Sequence, residues 1–241
     1  MNHTEQFEKD LLVFGVSITE RQREQFLKYY ELLAEWNSFM NLTAITDFDE
    51  VMKKHFVDSI SLVKAYPQIS EKPVRLIDIG TGAGFPGLPL KIVFPHIQLT
   101  LLDSLQKRLK FLQEVIDRLQ LGEVELIHGR AEDFAKPSAK REQYDICVSR
   151  AVANLATLSE LCLPYVKVGG KFIPYKSEKT EEEILASGNA ISMLGGRIEK
   201  QIEFELPESD IHRTLVVIDK IKATPKKYPR KAGLPAKEPL K

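Results

Sequence analysis

Residues 76–90, LIDIGTGAGFPGLPL, constrain the fold more than any other stretch of the chain. An apolar run meets Asp78, passes into Gly80-x-Gly82-x-Gly84, and turns through Phe85-Pro86-Gly87 into a second apolar stretch. Glycines in such a loop have two uses. They adopt positive φ in a tight turn, and they let backbone approach a ligand with no Cβ in between. The helix that follows presents unpaired amides and the positive end of its dipole. Pro86 suits the first helical turn, where an amide hydrogen has no partner anyway. A glycine pattern of this kind has meaning only between a strand and a helix, and that is where this one lies.

The rest of the chain is read around that element. VRLIDIG (74–80), IQLTLLD (97–103), VELIHG (124–129), YDICVS (144–149) and KFIPYK (171–176) are short apolar runs. They alternate with amphipathic stretches over 86–94, 104–120, 151–167 and 179–194. Strands separated by helices imply crossover connections and a parallel sheet. RIEKQIEFEL (197–206) and RTLVVIDKI (213–221), joined by PESD, predict an antiparallel pair at the sheet edge. Residues 1–72 read as helical. Ser17-Ile18-Thr19-Glu20 has capping-box form, and Phe26, Tyr29, Tyr30, Leu33 and Trp36 follow at helical spacing. A helix over 20–37 would be roughly 27 Å long, with its aromatic stripe used for packing. A further helix is expected across 48–65, capped by Thr46 or Asp47. The expected organisation is a helical extension over 1–72, an α/β domain over 73–222 and a C-terminal tail over 223–241.

Asp103 ends the second apolar run, 21 residues after Gly82. An acid there can accept both hydroxyls of an adenosine ribose. A nicotinamide dinucleotide and S-adenosylmethionine use this geometry equally. Asp78, two residues before the first glycine, favours the second: it would repel a pyrophosphate and attract an ammonium or sulfonium. In HGRAED (128–133), Glu132 or Asp133 is a candidate for the adenine edge. DICVSRAVANL (145–155) presents Ser149-Arg150 at the end of the fourth strand. Arginine there suits a phosphate, a carboxylate or a guanine edge. The Asn/Asp-Pro-Pro-aromatic signature of amino-directed methyltransferases is missing, and neither Cys147 nor Cys162 sits at a strand end. Lys171, Tyr175 and Lys176 have the composition of a nucleic-acid groove. The histidines at 3, 55, 96, 128 and 212 make no metal-ligand spacing, so no metal is expected. His55 and Asp58, one helical turn apart, are expected to make a polar contact with the main domain rather than to catalyse.

Two cysteines outside any Cys-x-x-Cys pair predict reduced core thiols in a cytoplasmic protein. The opening MNHTEQFEKD is too polar for a secretory signal. No apolar stretch approaches the about 20 residues that cross a bilayer, so no membrane partner is expected. The 34 basic and 34 acidic residues balance, yet unevenly: residues 219–241 hold eight Lys or Arg against two acids. A basic tail on a slightly acidic body points to a polyanion partner. Lys226, Lys227, Arg230 and Lys231 are its candidate contacts.

WNSFMNLTAITDFDEVMKKHFVDSI (36–60), DIGTGAGFPGLPL, LLDSLQKRLKFL, HGRAED, VSRAVANL and YPRKAG together resemble the bacterial 16S rRNA (guanine-N7)-methyltransferases, once called glucose-inhibited division protein B. The resemblance runs from about residue 8 to 235. It implies a class I S-adenosylmethionine-dependent methyltransferase: an α/β, Rossmann-like, mostly parallel seven-stranded sheet with helices on both faces, carrying an N-terminal helical extension. It implies methylation of one guanine in the decoding-region stem-loop of 16S rRNA, on naked RNA or the 30S subunit, by a monomer. Carried over by position, the cofactor residues would be Gly80, Phe85, Ala131, Glu132 and Arg150. Guanine N7 bears a free lone pair, so no catalytic base is expected. The competing readings are a methyltransferase acting on a small molecule or protein and a non-catalytic RNA-binding factor.

Overall fold

Four buried residues in a row, Leu76 to Ile79, make β1 (Arg75–Ile79) a strand with both faces covered, as parallel sheets require. Around it the computed structural model, which describes residues 4–136, 140–150, 153–177 and 180–241, builds a seven-stranded sheet. The other strands are β2 (Gln98–Asp103), β3 (Val124–His128), β4 (Tyr144–Ser149), β5 (Val166–Lys176), β6 (Gly196–Glu205) and β7 (His212–Lys220). Their order is β3-β2-β1-β4-β5-β7-β6. β1 to β5 pair in parallel, while β7 runs antiparallel to both β5 and β6. The expected edge hairpin is therefore present, with its second strand inside. The order reverses between β1 and β4, and the carboxyl ends of those strands flank a crevice suited to a ligand.

The helices follow the expected stretches with local differences. Helix Glu20–Met40 buries Phe26, Tyr29, Leu32 and Leu33. Its capping box is Thr19 with Gln22, not Ser17 with Glu20. Ser17 lies two residues too early to cover the first free amides, and the Gln22 carboxamide reaches back at the third helical position instead. The stripe packs as expected: Tyr29 stacks on Phe85 at 5.5 Å, Tyr30 meets Phe48 at 4.8 Å and Trp36 meets Phe111 at 5.7 Å. The stretch 48–65 is not one regular helix. Asp47 caps Phe48–Val51, Met52–Val57 is a π-helix, and short α-helices Asp58–Ile60 and Leu62–Ala65 follow. π-turns disturb the ladder and occur often at functional sites; this one bears Lys54 and His55. The helix expected over 151–167 is Leu155–Cys162 with a 3₁₀ turn at Leu163–Tyr165. Val166 already belongs to β5, and Pro164, with no amide hydrogen to give, interrupts the α-helical ladder before it. Residues 151–152 of DICVSRAVANL, and His3, lie outside the described residues.

The 1–72 extension does not sit apart. Phe7, Phe26 and Phe56 share one core with Leu76, Leu101 and Phe111 of the sheet and its helices. Cys147 and Cys162 are buried, unpaired thiols in the second core on the other face. The C-terminal segment is docked on the body. Thr224, Tyr228 and Pro235 are buried, and Leu234–Lys237 forms one helical turn. Among the described residues no helix is long and apolar enough to cross a membrane.

Candidate functional site

A cavity of about 870 Å³ opens at the carboxyl ends of β1, β4 and β5. Its floor is the glycine loop, Gly80 to Ala83 with Phe85, and its far wall is Thr43, Lys54, His55 and Asp58 of the extension. Arg108, Arg150, Asn154, Tyr175, Lys176, Glu183 and Arg213 are also in its lining.

The loop geometry follows from its residues. Gly80, Gly82 and Gly84 have φ of 72°, 62° and 95°. A Cβ at Gly82 would meet no protein atom within 4 Å, so the backbone is bare toward the cavity. A Cβ at Gly84 would strike the Tyr29 hydroxyl and lie 2.7 Å from Leu88 Cδ1. The first glycine is thus exposed for a ligand, and the second is there for close packing.

Asp78 lies fully buried beneath the loop. Its Oδ2 accepts from Thr81 Oγ1 at 2.8 Å and from the Gly87 amide at 3.0 Å. Its Oδ1 has no partner among the described residues. Burial raises its pKa to about 6 against the bonds from Thr81 and Gly87. Asp103 accepts from Gly82 N at 2.9 Å, Leu105 N at 2.9 Å and Arg108 Nη1 at 3.2 Å. It ties the loop to β2 and to the turn before the next helix, and its partner Arg108 lines the cavity edge.

Arg150 is the centre of the far wall. It donates to Asp58 Oδ2 at 2.9 Å and Lys54 O at 3.2 Å, and it faces His55 Nδ1 at 3.1 Å. Its guanidinium lies 5.1 Å from the Phe85 ring centroid, and His55 stacks on the same ring at 4.6 Å. The other His55 nitrogen meets Thr43 Oγ1 at 2.9 Å. Burial, and then the charge of Arg150, lower the His55 pKa to about 3. The expected polar contact of His55 and Asp58 with the main domain is thus made on Arg150. Thr43, Lys54, Arg108 and Arg213 also line the cavity without having been singled out from sequence. No local pattern marks them; only the basic character of Arg213 at a strand start was visible.

The other candidates lie elsewhere. Ala131 and Glu132 are buried after β3, outside the cavity lining. The Ala131 carbonyl accepts from Tyr165, and Glu132 Oε1 accepts from the Gly233 amide at 2.8 Å. Lys176 bonds Glu183 at 2.7 Å and Ala153 O at 2.9 Å at the cavity edge. Lys171 is held by Glu199 and Asp219, each at 2.6 Å, outside the cavity lining. Arg230 is bound to the fully buried Glu160 through Nη2 at 2.6 Å. Lys226, Lys227 and Lys231 are exposed on the docked segment. Among the described residues there is no group of three or more side chains fit to hold a metal ion.

This site fits S-adenosylmethionine. The bare backbone of Gly82 suits close approach, and the unpaired Asp78 Oδ1, an orphaned buried acceptor, suits an ammonium; Asp78 and Asp103 themselves lie buried beneath the loop, outside the cavity lining. Comparison with known proteins bears on the fold and on the family. The fold resembles M. jannaschii TYW2 in complex with AdoMet, at a TM-score of 0.53 and 16% identity over 68% of this chain and 77% of that one. It also resembles the ribosomal protein L11 methylase of Lactobacillus delbrueckii subsp. bulgaricus, at 0.52 and 14% over 70% and 79%. Residues 22–212 match the family described as GidB, rRNA small subunit methyltransferase G. The ribosomal RNA small subunit methyltransferase G of Lachnoclostridium phytofermentans is 54% identical over 240 residues, 100% of this chain and 98% of that protein. That of Limosilactobacillus reuteri is 52% identical over 237 residues, 98% of each. Identity above one half along essentially the whole chain settles its kinship, and the chain belongs to the rRNA small subunit methyltransferase G family.

Proposed function

We propose that this chain methylates N7 of a specific guanine in 16S rRNA, in the decoding-region stem-loop of the small ribosomal subunit. The observation that supports it best is a cavity with a carboxylate-buttressed glycine loop on one side and a guanidinium wall on the other, where among the described residues the lining carboxylates, Asp58 and Glu183, are each held by a cation. The one histidine on the wall is engaged through both nitrogens and kept neutral. That would leave an amine or hydroxyl acceptor with nowhere to send its proton. Guanine N7 has none to lose.

In this reading S-adenosylmethionine supplies an electrophilic methyl on a sulfonium. Asp78 and Asp103 hold its ammonium and ribose, Gly80, Gly82, Gly84 and Phe85 shape its bed, and Ala131 and Glu132 lie toward the adenine. Three of the five N–H donors of Arg150 are spent on Lys54, Asp58 and His55. A remaining one can donate to guanine O6 and leave the N7 lone pair free. The chain's task is alignment, and orientation can lower a barrier by about 7–11 kcal/mol. Lys226, Lys227 and Lys231 face the RNA, because Lys171 and Arg230 have their charge answered within the protein, and Lys176, paired with Glu183, reaches it only at the cavity edge. On this reading the enzyme works in the cytoplasm as a monomer.

The test is methyl transfer to 16S rRNA and to 30S subunits from cells lacking this methylation, with the product mapped by reduction and aniline cleavage, which is specific to N7-methylguanine. One N7-methylguanine in the decoding region is the expected result. Modification at another atom, or of neither substrate, would overturn the proposal.

A further inference from the structure

Asp58 is 2% exposed and holds two guanidiniums at once. Its Oδ2 accepts from Arg150 at 2.9 Å and its Oδ1 from Arg213 Nε at 3.0 Å. One carboxylate against two arginines leaves a net positive charge on the cavity wall, and His55 adds none. Both arginines line the cavity, one on each oxygen of this carboxylate, but they come from different strand ends. Arg150 rests over Phe85 of the glycine loop. Arg213 begins β7, where Thr214 pairs with Lys176, two strands beyond β4 in the sheet order. At about 4.8 Å per strand, β7 lies about 14 Å from β1. Arg213 Nη1 donates to His212 O at 2.9 Å, while Nη2 has no partner among the described residues. A guanidinium edge that is partly exposed to the cavity, beside Lys176, matches the chemistry of a phosphodiester oxygen.

The geometry points to Arg213 as a substrate-binding residue that takes an RNA phosphate next to the target nucleotide, with Asp58 as the positioning residue that fixes it relative to Arg150. The inference rests on the methyltransferase reading above. It assigns the substrate backbone to one arginine and the base to the other, and it makes the helical extension part of the substrate site. A single buried carboxylate sets the distance between the two, so the RNA backbone and the methyl acceptor are held in one frame.

The experiment measures methyl transfer to 30S subunits at several salt concentrations, together with S-adenosylmethionine affinity by calorimetry and the melting temperature. Arg213→Ala is expected to raise the RNA KM about tenfold and to flatten the log–log salt slope by about 0.7, one phosphate contact. Cofactor affinity should stay within about twofold. Arg213→Lys should restore the slope but not the whole KM, because a point charge replaces the fork. Asp58→Asn should raise the RNA KM and lower kcat together, since both arginines lose their anchor. If it does not fold, the Arg213 variants decide alone. Weakened cofactor binding in Arg213→Ala with an unaltered RNA KM would overturn the assignment, for the arginine would then serve the cofactor carboxylate. So would an unaltered salt slope. A wild-type protein that methylates no RNA would instead defeat the proposed function, which separates the two failures.

Discussion

Tyr29 donates its hydroxyl to the Ala83 carbonyl at 2.5 Å, joining the long helix of the extension to the glycine loop 54 residues away. The ring is fully buried and stacks on Phe85. Removing the hydroxyl in Tyr29→Phe leaves a buried carbonyl unpaired, at a cost of about 1–3 kcal/mol. Melting temperature and S-adenosylmethionine affinity should fall together, because the loop loses a fixed point. A variant that melts lower but binds as before would limit the bond to a packing role.

The two inner glycines should fail differently. Gly84→Ala drives a methyl into Tyr29 and Leu88 and should lose about 1–3 kcal/mol of stability by overpacking. Gly82→Val points into open space, so its fold pays mainly the left-handed strain of about 1–2 kcal/mol. Its cofactor binding should vanish. Thermal melts paired with calorimetry check this, and undiminished binding by folded Gly82→Val would move the ligand off the loop.

Asp103→Ala should weaken S-adenosylmethionine by about 1.5–3 kcal/mol, the worth of hydrogen bonds to a charged group. The loop amide of Gly82 loses its acceptor at the same time, so some of the loss is disorder of the bed. Titration calorimetry reads the total; an unchanged Kd would remove Asp103 from the site.

The basic C-terminal segment divides in two. Arg230→Ala strands the fully buried Glu160 carboxylate, and should cost about 3–5 kcal/mol. Changing exposed Lys226, Lys227 and Lys231 to alanine should leave the melt intact and flatten the RNA salt slope by about two units. RNA binding across salt concentrations, beside melting curves, distinguishes a docked strap from a contact surface.

His55 and Asp78 oppose each other in acid. Burial and Arg150 lower His55 from 6.5 to about 3, so the unfolded chain holds the extra proton in that window. Stability then rises with pH from about 3 to 6.5, by up to about 1.4 kcal/mol per unit. Burial raises Asp78 from 3.8 to about 6, so the folded state holds the extra proton there. Its contribution is present at low pH and is lost as pH rises through about 6. Asp78→Asn should therefore leave a stability that climbs with pH across this range. His55→Gln should leave one that declines. Denaturant titrations between about pH 4 and 7 check both, and parallel profiles for the two variants would contradict the opposition.

The strand that carries Asp78, the glycine loop, Asp103 and the order of strands and helices were all legible in the sequence. Each depends on spacing along a few turns or one strand period, and such spacing survives whatever the rest of the chain does. The displaced cap at Thr19, the π-turn at Met52–Val57 and the early start of β5 were not, since neighbouring residues compete for those places and packing chooses among them. Nor could the sequence reveal which of its cations were spent. Lys171 and Arg230 look as free as Lys226 until Asp219, Glu199 and Glu160 are brought against them. The same holds for Asp58, whose partners Arg150 and Arg213 lie 92 and 155 residues away. A charge declares its sign in the sequence, but its partner is decided by how the sheet and the helical extension share one core.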